Sequence, residues 1–270
     1  MPYALLGEHL SHSLSVPIHE EICHKSGLLF DYHLREIPRE RFAADIADIL
    51  HSYDGVNVTI PYKREIIPFL DDLSPEARAV GAVNTVVREG GHLIGHNTDI
   101  AGFVVMLTQA GIPAGVPCWV LGTGGASAAV TYALQQYGCG PIHPVSRDPA
   151  RGESYAALPE HFSGVLINCT PVGMFPRTED CPLPQAMLEI LLPRATAILD
   201  LIYNPVETVL LRNARQRGIP AVNGLTMLHA QAIEAERLWH PGHMIPSFMP
   251  SQDSPKHRVT NGDSYDIMHA

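Results

Sequence analysis

An apolar run that leads straight into a glycine-rich turn most constrains how this chain can fold. Cys118-Trp-Val-Leu121 predicts a buried strand, Gly122-Thr-Gly-Gly-Ala-Ser127 follows it, and residues 128–137 favour a helix that Gly138 ends. Glycines in such a turn let the backbone approach a pyrophosphate, while the N-terminus of the next helix offers free N–H groups. The order of strand, turn and helix therefore predicts a dinucleotide-binding unit.

The next predicted strand ends at residues that bear on the choice of cofactor. Residues 142–145 contain a proline, which favours an edge strand, and Ser146, Arg147, Asp148 and Arg151 follow. Guanidinium groups pair bidentately with phosphate, so Arg147 and Arg151 form a candidate clamp for the 2′-phosphate of NADP. Asp148 would instead suit the ribose hydroxyls of NAD. The residues favour NADP and leave NAD open, and an ordinary solvated loop is the structural alternative.

A second constraining stretch is Gly55-Val-Asn-Val-Thr-Ile-Pro-Tyr-Lys63. Its apolar and polar residues alternate up to the proline: Val56, Asn57, Val58, Thr59, Ile60. The period of two predicts a strand whose apolar side chains face a core, and the proline ends it. Lys63 then projects just past the strand, beside a carboxamide and a hydroxyl. This set suits a small polyhydroxy molecule and the movement of a proton on it, whereas a half-buried strand with a surface lysine is the ordinary alternative.

Two later segments add polar residues of the same kind. Gly81-Ala-Val-Asn-Thr85 supplies another asparagine–threonine pair, and Gly95-His-Asn-Thr-Asp99 supplies a single carboxylate. The order NVTIPYK, GAVNT and HNTD closely resembles the shikimate dehydrogenase family, and the likeness extends to about Trp239. The resemblance implies an enzyme that reversibly reduces 3-dehydroshikimate to shikimate with NADP, in the pathway to chorismate and the aromatic amino acids.

The resemblance also implies the fold and its division along the chain. Strands and helices alternate, which by itself predicts an α/β structure. Residues 1–99 and 224–240 are expected to form an α/β substrate domain with a mixed, mainly parallel sheet. Residues 100–223 are expected to form a Rossmann-like NADP-binding domain across a cleft. Residues 241–270 turn to proline, serine and histidine, and we expect little fixed structure there.

Site residues follow from matching the family's motifs to this sequence. Lys63 and Asp99 are implied as the acid–base pair. The implied substrate ligands are Ser13, Ser15, Asn57, Thr59, Asn84, Asn97, Tyr203 and Gln231. The implied cofactor ligands are Gly122, Thr123, Gly124, Gly125, Ala126, Ser146, Arg147, Arg151, Thr170, Leu201 and Gly224. The chain departs from the family pattern at Pro17, one place later than usual after the serines, and at His229 in the closing helix, where we expect a packing or solvent-facing role.

Bulk composition excludes several other classes of protein. The net charge is −10 without a basic cluster, which argues against nucleic acid and against anionic membrane surfaces as partners. Five scattered cysteines predict reduced thiols in a cytoplasmic protein, and the N-terminus resembles no signal peptide. The 15 histidines lack the spacing of a ligand set, so we expect no dedicated metal site. A monomer and a homodimer both remain open.

The chemistry that this set allows is hydride transfer to a ketone. Negative charge then develops on oxygen, where a proton-donating lysine held by a carboxylate would stabilise the transition state. Two alternatives stay open. One is a quinate/shikimate dehydrogenase that uses NAD or both cofactors. The other is a nucleotide-sensing protein on the same scaffold, without turnover.

Overall fold

Two β-sheets organise the molecule, and each is built from one continuous stretch of chain. The computed structural model describes residues 2–11 and 13–247. The first sheet lies within residues 3–96 and the second within residues 118–222. None of the helices in the described ranges is long and apolar enough to cross a membrane.

The first sheet is mixed, as predicted. Its six strands are β1 (Tyr3–Gly7), β2 (Tyr32–Glu36), β3 (Gly55–Val58), β4 (Asp72–Leu73), β5 (Thr85–Glu89) and β6 (His92–His96), in the spatial order β2-β1-β3-β5-β6-β4. Strand β1 runs parallel to β2 and β3, β5 is antiparallel to both of its neighbours, and β4 is parallel to β6. The helices of this half are α1 (Ser15–Ser26), α2 (Arg39–His51) and α3 (Pro75–Val80).

Strand β3, within the stretch of residues 55–63, ends sooner than the alternation predicts. Ile60, expected on the core face, is 75% exposed, because the chain turns after Val58 and the Tyr62 N–H donates to the Thr59 carbonyl at 2.9 Å. Tyr62 takes the core position instead. It is fully buried and its ring stacks on Phe42 with centroids 4.1 Å apart. The turn that carries Lys63 is therefore anchored by an aromatic side chain.

The second sheet is wholly parallel, with strands β7 (Cys118–Leu121), β8 (Ile142–Val145), β9 (Gly164–Asn168), β10 (Ala195–Asp200) and β11 (Ala221–Val222) in the order β11-β10-β9-β7-β8. Its helices are α4 (Asp99–Gln109), α5 (Gly125–Tyr137), α6 (Leu158–His161), α7 (Gln185–Leu191) and α8 (Val209–Arg215). Apolar clusters cover both faces, as a parallel sheet requires. The strand with the internal proline, β8, is at the edge as predicted.

A final helix, α9 (Leu225–Trp239), returns from the second sheet to the first. Its apolar residues join α1 in one core cluster, while Met227 packs in the core of the second half. The Trp239 indole donates to the Val86 carbonyl at 3.0 Å and covers Gly55, where any Cβ would overlap its ring. Beyond it, Ile245 is 5% exposed, so the segment from residue 241, expected to lack fixed structure, contains a packed residue. Residues 248–270 lie outside the described residues.

Candidate active site

The fold brings together the lysine and the carboxylate that the motifs single out. Lys63 Nζ lies 2.6 Å from Asp99 Oδ2, although 36 positions separate the two residues. Their side chains are 18% and 9% exposed. Separating a partly buried pair leaves each charge short of solvation, so the geometry favours keeping them in contact. Lys63 thus has a fixed position with donor capacity left over, because an ammonium carries three N–H groups.

Both residues are placed by their backbone. The Lys63 carbonyl accepts from the Val83 N–H at 2.7 Å, which ties the turn after β3 to the segment before β5. Asp99 is the first residue of α4, where the positive end of the helix dipole favours a carboxylate. The pair therefore spans the junction between the first sheet and the helix that leads to the second.

Asn84 orients the carboxylate from its other side. Its Nδ2 donates to Asp99 Oδ1 at 2.9 Å, and its Oδ1 accepts from the Thr98 N–H at 2.7 Å. Gln231, carried by α9, brings its Oε1 to 3.5 Å from Asn84 Nδ2. The two predicted ligands lie on opposite halves of the sequence and meet beside Asp99.

Two other predicted ligands, Asn57 and Asn97, differ in whether protein groups already satisfy the hydrogen bonds of their carboxamides. The Asn57 carboxamide is engaged by protein groups, since Oδ1 accepts from the Tyr32 hydroxyl at 2.8 Å and Nδ2 donates to Thr85 Oγ1 at 3.1 Å. Asn97 donates through Nδ2 to the Ala82 carbonyl at 2.9 Å, but its buried Oδ1 has no hydrogen-bond partner among the described residues. A buried acceptor without a partner is the exception in folded proteins and suits a ligand hydroxyl.

The remaining substrate candidates come from both halves of the molecule, with Tyr203 just after β10 of the second sheet. Ser15 is the first residue of α1, and the Ser13 hydroxyl accepts from its N–H at 3.1 Å and also reaches its Oγ at 3.1 Å. Thr59 is half-buried, with its methyl against Gly7, where a Cβ would come within 2.7 Å. Burial raises the pKa of the Tyr203 hydroxyl, which keeps it neutral.

The glycine turn lies where ligands bind in sheets of this topology. Strands β7 and β9 are neighbours, and their connections leave to opposite sides of the sheet. Gly122 follows β7 directly with φ +98°, and a Cβ there would approach the Thr170 methyl to 3.1 Å. Gly124 is the N-cap of α5 and has no side chain to cap it, so the first N–H groups of the helix remain available to a phosphate.

The loop after β8 holds its carboxylate through a backbone N–H group and carries both predicted arginines. The Asp148 carboxylate accepts from the Ala150 N–H at 3.0 Å, and the Ser146 hydroxyl accepts from the Asp148 N–H at 3.0 Å. The carboxylate is therefore engaged within its own loop. Arg147 is exposed, and Arg151 Nη2 donates to the Thr123 carbonyl at 2.5 Å, directly over the glycine turn.

A buried carboxyl that the motifs did not single out supports the loop around Thr170. Asp200 is fully buried, and its Oδ1 accepts from Asn168 Nδ2 at 3.0 Å. Asn168 Oδ1 in turn accepts from the Thr170 hydroxyl at 2.7 Å. Next to it, Leu201 passes so close to Gly224 that a Cβ on the glycine would overlap the Leu201 carbonyl. The sequence signal for this network was that the apolar strands β9 and β10 each end in a polar residue, Asn168 and Asp200.

Tyr32 was also missed by sequence reasoning, because its position at the start of an alternating strand predicts packing and nothing more. It is 5% exposed and stacks on His19 with ring centroids 4.1 Å apart. His229 is fully buried, in line with a packing role. Within the described residues, no group of three or more histidine, cysteine or acidic side chains could hold a metal ion.

A parallel sheet with a glycine turn at its switch point, joined to a half with a lysine–carboxylate pair, defines a two-domain α/β nicotinamide-dependent oxidoreductase. Residues 5–86 match the family model for the shikimate dehydrogenase substrate binding domain. The shikimate dehydrogenase (NADP(+)) of Symbiobacterium thermophilum is 39% identical over 261 residues, which cover 87% of each chain. The chain belongs to the shikimate dehydrogenase family.

Solved structures agree with this assignment. A chorismate mutase/shikimate 5-dehydrogenase fusion protein from Clostridium acetobutylicum superposes with a TM-score of 0.82 at 38% identity, over 88% of this chain and 90% of that one. Shikimate 5-dehydrogenase from Thermus thermophilus, solved with NADP(H) and shikimate, gives a TM-score of 0.81 at 34% identity, over 92% and 95%. The predicted fold class and family are confirmed.

Proposed function

We propose that this chain catalyses the reversible NADP-dependent reduction of 3-dehydroshikimate to shikimate, with Lys63 and Asp99 as the acid–base pair. The observation that carries the proposal is the contact of 2.6 Å between Lys63 Nζ and Asp99 Oδ2 in a family whose relatives are named NADP-dependent shikimate dehydrogenases. An NADP(H) and shikimate complex of a relative supports the same pair of ligands.

The residues of the chain handle the proton and the position of the substrate. A bound nicotinamide would supply the hydride. Lys63 Nζ donates the proton that the new hydroxyl oxygen takes up, and it accepts that proton in the reverse direction. Asp99 holds the ammonium in place through Oδ2, while Asn84 fixes the carboxylate through Oδ1. Because protein groups hold the lysine and the carboxylate in contact, little rearrangement is needed in the transition state.

Neutral hydrogen-bonding groups hold the rest of the substrate ring. The unpartnered Asn97 Oδ1 supports a contact with a ring hydroxyl, and Gln231 reaches the same region from α9. The paired hydroxyls of Ser13 and Ser15 bind the substrate carboxylate without cancelling its charge. The other proposed ligands are Asn57, Thr59, Asn84 and Tyr203.

NADP is held by the second half of the molecule. The N-terminus of α5 receives the pyrophosphate on Thr123, Gly124, Gly125 and Ala126. Arg147 and Arg151 bind the 2′-phosphate, which the engagement of the Asp148 carboxylate within its own loop supports. The remaining proposed contacts with the cofactor are Gly122, Ser146, Thr170, Leu201 and Gly224.

The proposal also covers the division into domains, the cellular location and the partners of the protein. Residues 1–99 and 224–240 form the substrate domain, and residues 100–223 form the cofactor domain. A cytoplasmic location is supported by five cysteines that all carry free thiols. The chain works as a monomer or homodimer on small molecules, and its net charge of −10 disfavours nucleic acid as a partner.

Replacing the lysine tests the mechanism. Lys63→Ala should lower kcat about 10²- to 10⁴-fold, the usual contribution of a general acid, and leave NADPH affinity nearly unchanged. Steady-state rates at the absorbance band of NADPH and fluorescence titration with NADPH measure the two effects. Lys25→Ala, at the exposed end of α1, is the matched control and should behave as wild type. Turnover at the wild-type rate in Lys63→Ala would remove this residue from the mechanism.

A further inference from the structure

A cavity of about 410 Å³ lies between the two halves of the molecule. Arg64, Ala79 and Val80 line it from the first half. The glycine turn at residues 122–124, one side of α5 and Arg151 line it from the second. The space thus opens onto the helix N-terminus where the pyrophosphate is proposed to bind, and a residue of the substrate half reaches it.

The charge of this cavity is positive in a chain that is acidic overall. Two guanidinium groups, those of Arg64 and Arg151, line it, and no acidic side chain of the described residues does. Arg64 forms no ion pair within the described part of the chain. Other arginines of the same half, such as Arg39, Arg41 and Arg78, each pair with a carboxylate. Arg64 therefore presents an uncompensated, exposed cation to a space lined by backbone N–H donors.

The backbone holds Arg64 in a fixed relation to the acid–base lysine. Lys63 and Arg64 are consecutive, and fully buried side chains flank them at Tyr62 and Ile66. The Val83 N–H bonds to the Lys63 carbonyl at 2.7 Å, and the Ile67 N–H bonds to the Arg64 carbonyl at 3.3 Å. One anchored turn therefore directs one cation to Asp99 and the next to the cavity.

We propose that Arg64 binds a phosphate group of the dinucleotide across the cleft. The inference rests on the proposed NADP-dependent function and adds a contact from the substrate half. Guanidinium suits this role because it pairs with phosphate bidentately and stays charged. Binding the cofactor then fixes the turn that also carries Lys63, so the two ligands of the reaction are positioned by adjacent residues.

The test is the affinity of the intact protein for NADPH and NADH, measured by fluorescence titration. Arg64→Gln should raise the Kd for NADPH about tenfold or more, the usual size of a charged hydrogen bond. An equal loss for NADH identifies the pyrophosphate as the partner, because NADH lacks the 2′-phosphate. A loss confined to NADPH identifies the 2′-phosphate. High salt should shrink the difference between variant and wild type.

A matched control separates this contact from the loss of one positive charge. Arg41→Gln removes an exposed guanidinium that pairs with Asp45 on α2, away from the cavity, and should leave both Kd values unchanged. An unchanged NADPH affinity in Arg64→Gln overturns the inference while leaving the proposed function intact. Failure of the wild-type protein to bind NADPH would instead overturn the proposed function itself.

Discussion

Asp200 shows how a single buried carboxyl can serve the site without touching a ligand. It ends β10 and accepts hydrogen bonds from Asn168 and from the Thr208 hydroxyl, the latter at 2.7 Å. The Ile202 N–H also donates to it, at 3.1 Å. These contacts fix the end of the strand, next to which Leu201 is proposed to contact the cofactor. The cost is a carboxyl held away from water.

The protonation of Asp200 should make the stability of the protein depend on pH. Burial raises the pKa of Asp200 from 3.8 to about 6. A folded pKa above the unfolded one means that the folded state binds the proton more tightly, so stability is lost as pH rises through the folded pKa. The loss amounts to roughly 3 kcal/mol between about pH 4 and pH 6.

Asp200→Asn should remove this dependence. The amide keeps an oxygen for the Asn168 and Ile202 donors and cannot titrate. Urea denaturation between pH 4 and pH 7.5 should show the variant gaining stability relative to wild type up to about pH 6, then a constant difference. A difference in unfolding free energy that is the same at every pH would contradict the assignment.

At the scale of elements, the packing of α9 against α1 includes a buried contact between a histidine and a carboxylate. His19 Nδ1 lies 2.6 Å from Glu236 Oε1, with the two side chains 0% and 2% exposed. His240 Nε2 approaches the other carboxylate oxygen to 3.2 Å. Because α1 carries Ser15 and α9 carries Gln231, this contact sets the distance between two proposed substrate ligands.

Glu236→Gln should weaken this packing at neutral pH. Burial opposes ionisation, but the contacts with His19 and His240 outweigh it and hold the pKa of Glu236 below its usual 4.5. A lowered folded pKa contributes stability above the unfolded pKa, and this stability is lost as pH falls through the folded value. We expect a loss of about 1–3 kcal/mol at pH 7 that shrinks below pH 4.5.

Chemical denaturation of the variant across this pH range measures the effect. Glu234→Gln is the matched control, because Glu234 is on the same helix but pairs with Arg237 in a partly exposed position. That control should change the unfolding free energy by less than about 0.5 kcal/mol. A loss as small in Glu236→Gln as in the control would show that the contact does not clamp the helices.

At the scale of the whole molecule, α9 makes the two halves one folding unit. Gly102 of α4 allows the close approach, because a Cβ there would come within 2.7 Å of the Met227 carbonyl. The same helix contributes Ala232 and Ile233 to the cluster with α1. Neither half therefore has a complete core without α9.

Calorimetry should accordingly record a single unfolding transition. Its calorimetric and van't Hoff enthalpies should agree, since shared core residues couple the two halves. NADPH at about 100 times its Kd should add about 2.7 kcal/mol of stability and shift that one transition upward. Two resolved transitions, of which NADPH moves only one, would show that the halves unfold independently.

The sequence predicted features that depend on local pattern and missed features that depend on tertiary contact. The strand, glycine turn and helix around Gly122 follow from composition, and the family motifs led directly to Lys63 and Asp99. Ile60 was assigned to the core because alternation cannot reveal where a strand ends. Helices α6 and α7 were not predicted, because they span only four and seven residues and begin without a side-chain cap.

Buried polar partners were equally invisible in the sequence. Tyr32 of β2 and Asn57 of β3 lie on opposite sides of β1. The Tyr32 hydroxyl reaches across β1 to donate to the Asn57 carboxamide, and this contact cannot be read from the sequence. In the sequence Asp200 is only the polar residue at the end of a strand, and its contact with the Thr208 hydroxyl appears only in the structure. The roles of such residues depend on neighbours that are distant in the chain, so no sequence spacing predicts them.

The position of α9 also affects how the protein is made. A ribosome adds about 5–20 residues per second, so roughly 7–28 seconds pass between the emergence of residue 99 and that of residue 239. During this interval the nascent first half exposes the apolar side of α1 that α9 will later cover. The protein therefore needs protection from aggregation while it is still attached to the ribosome. The exposed apolar surface is covered only when α9, the last helix, is synthesised and packs against α1.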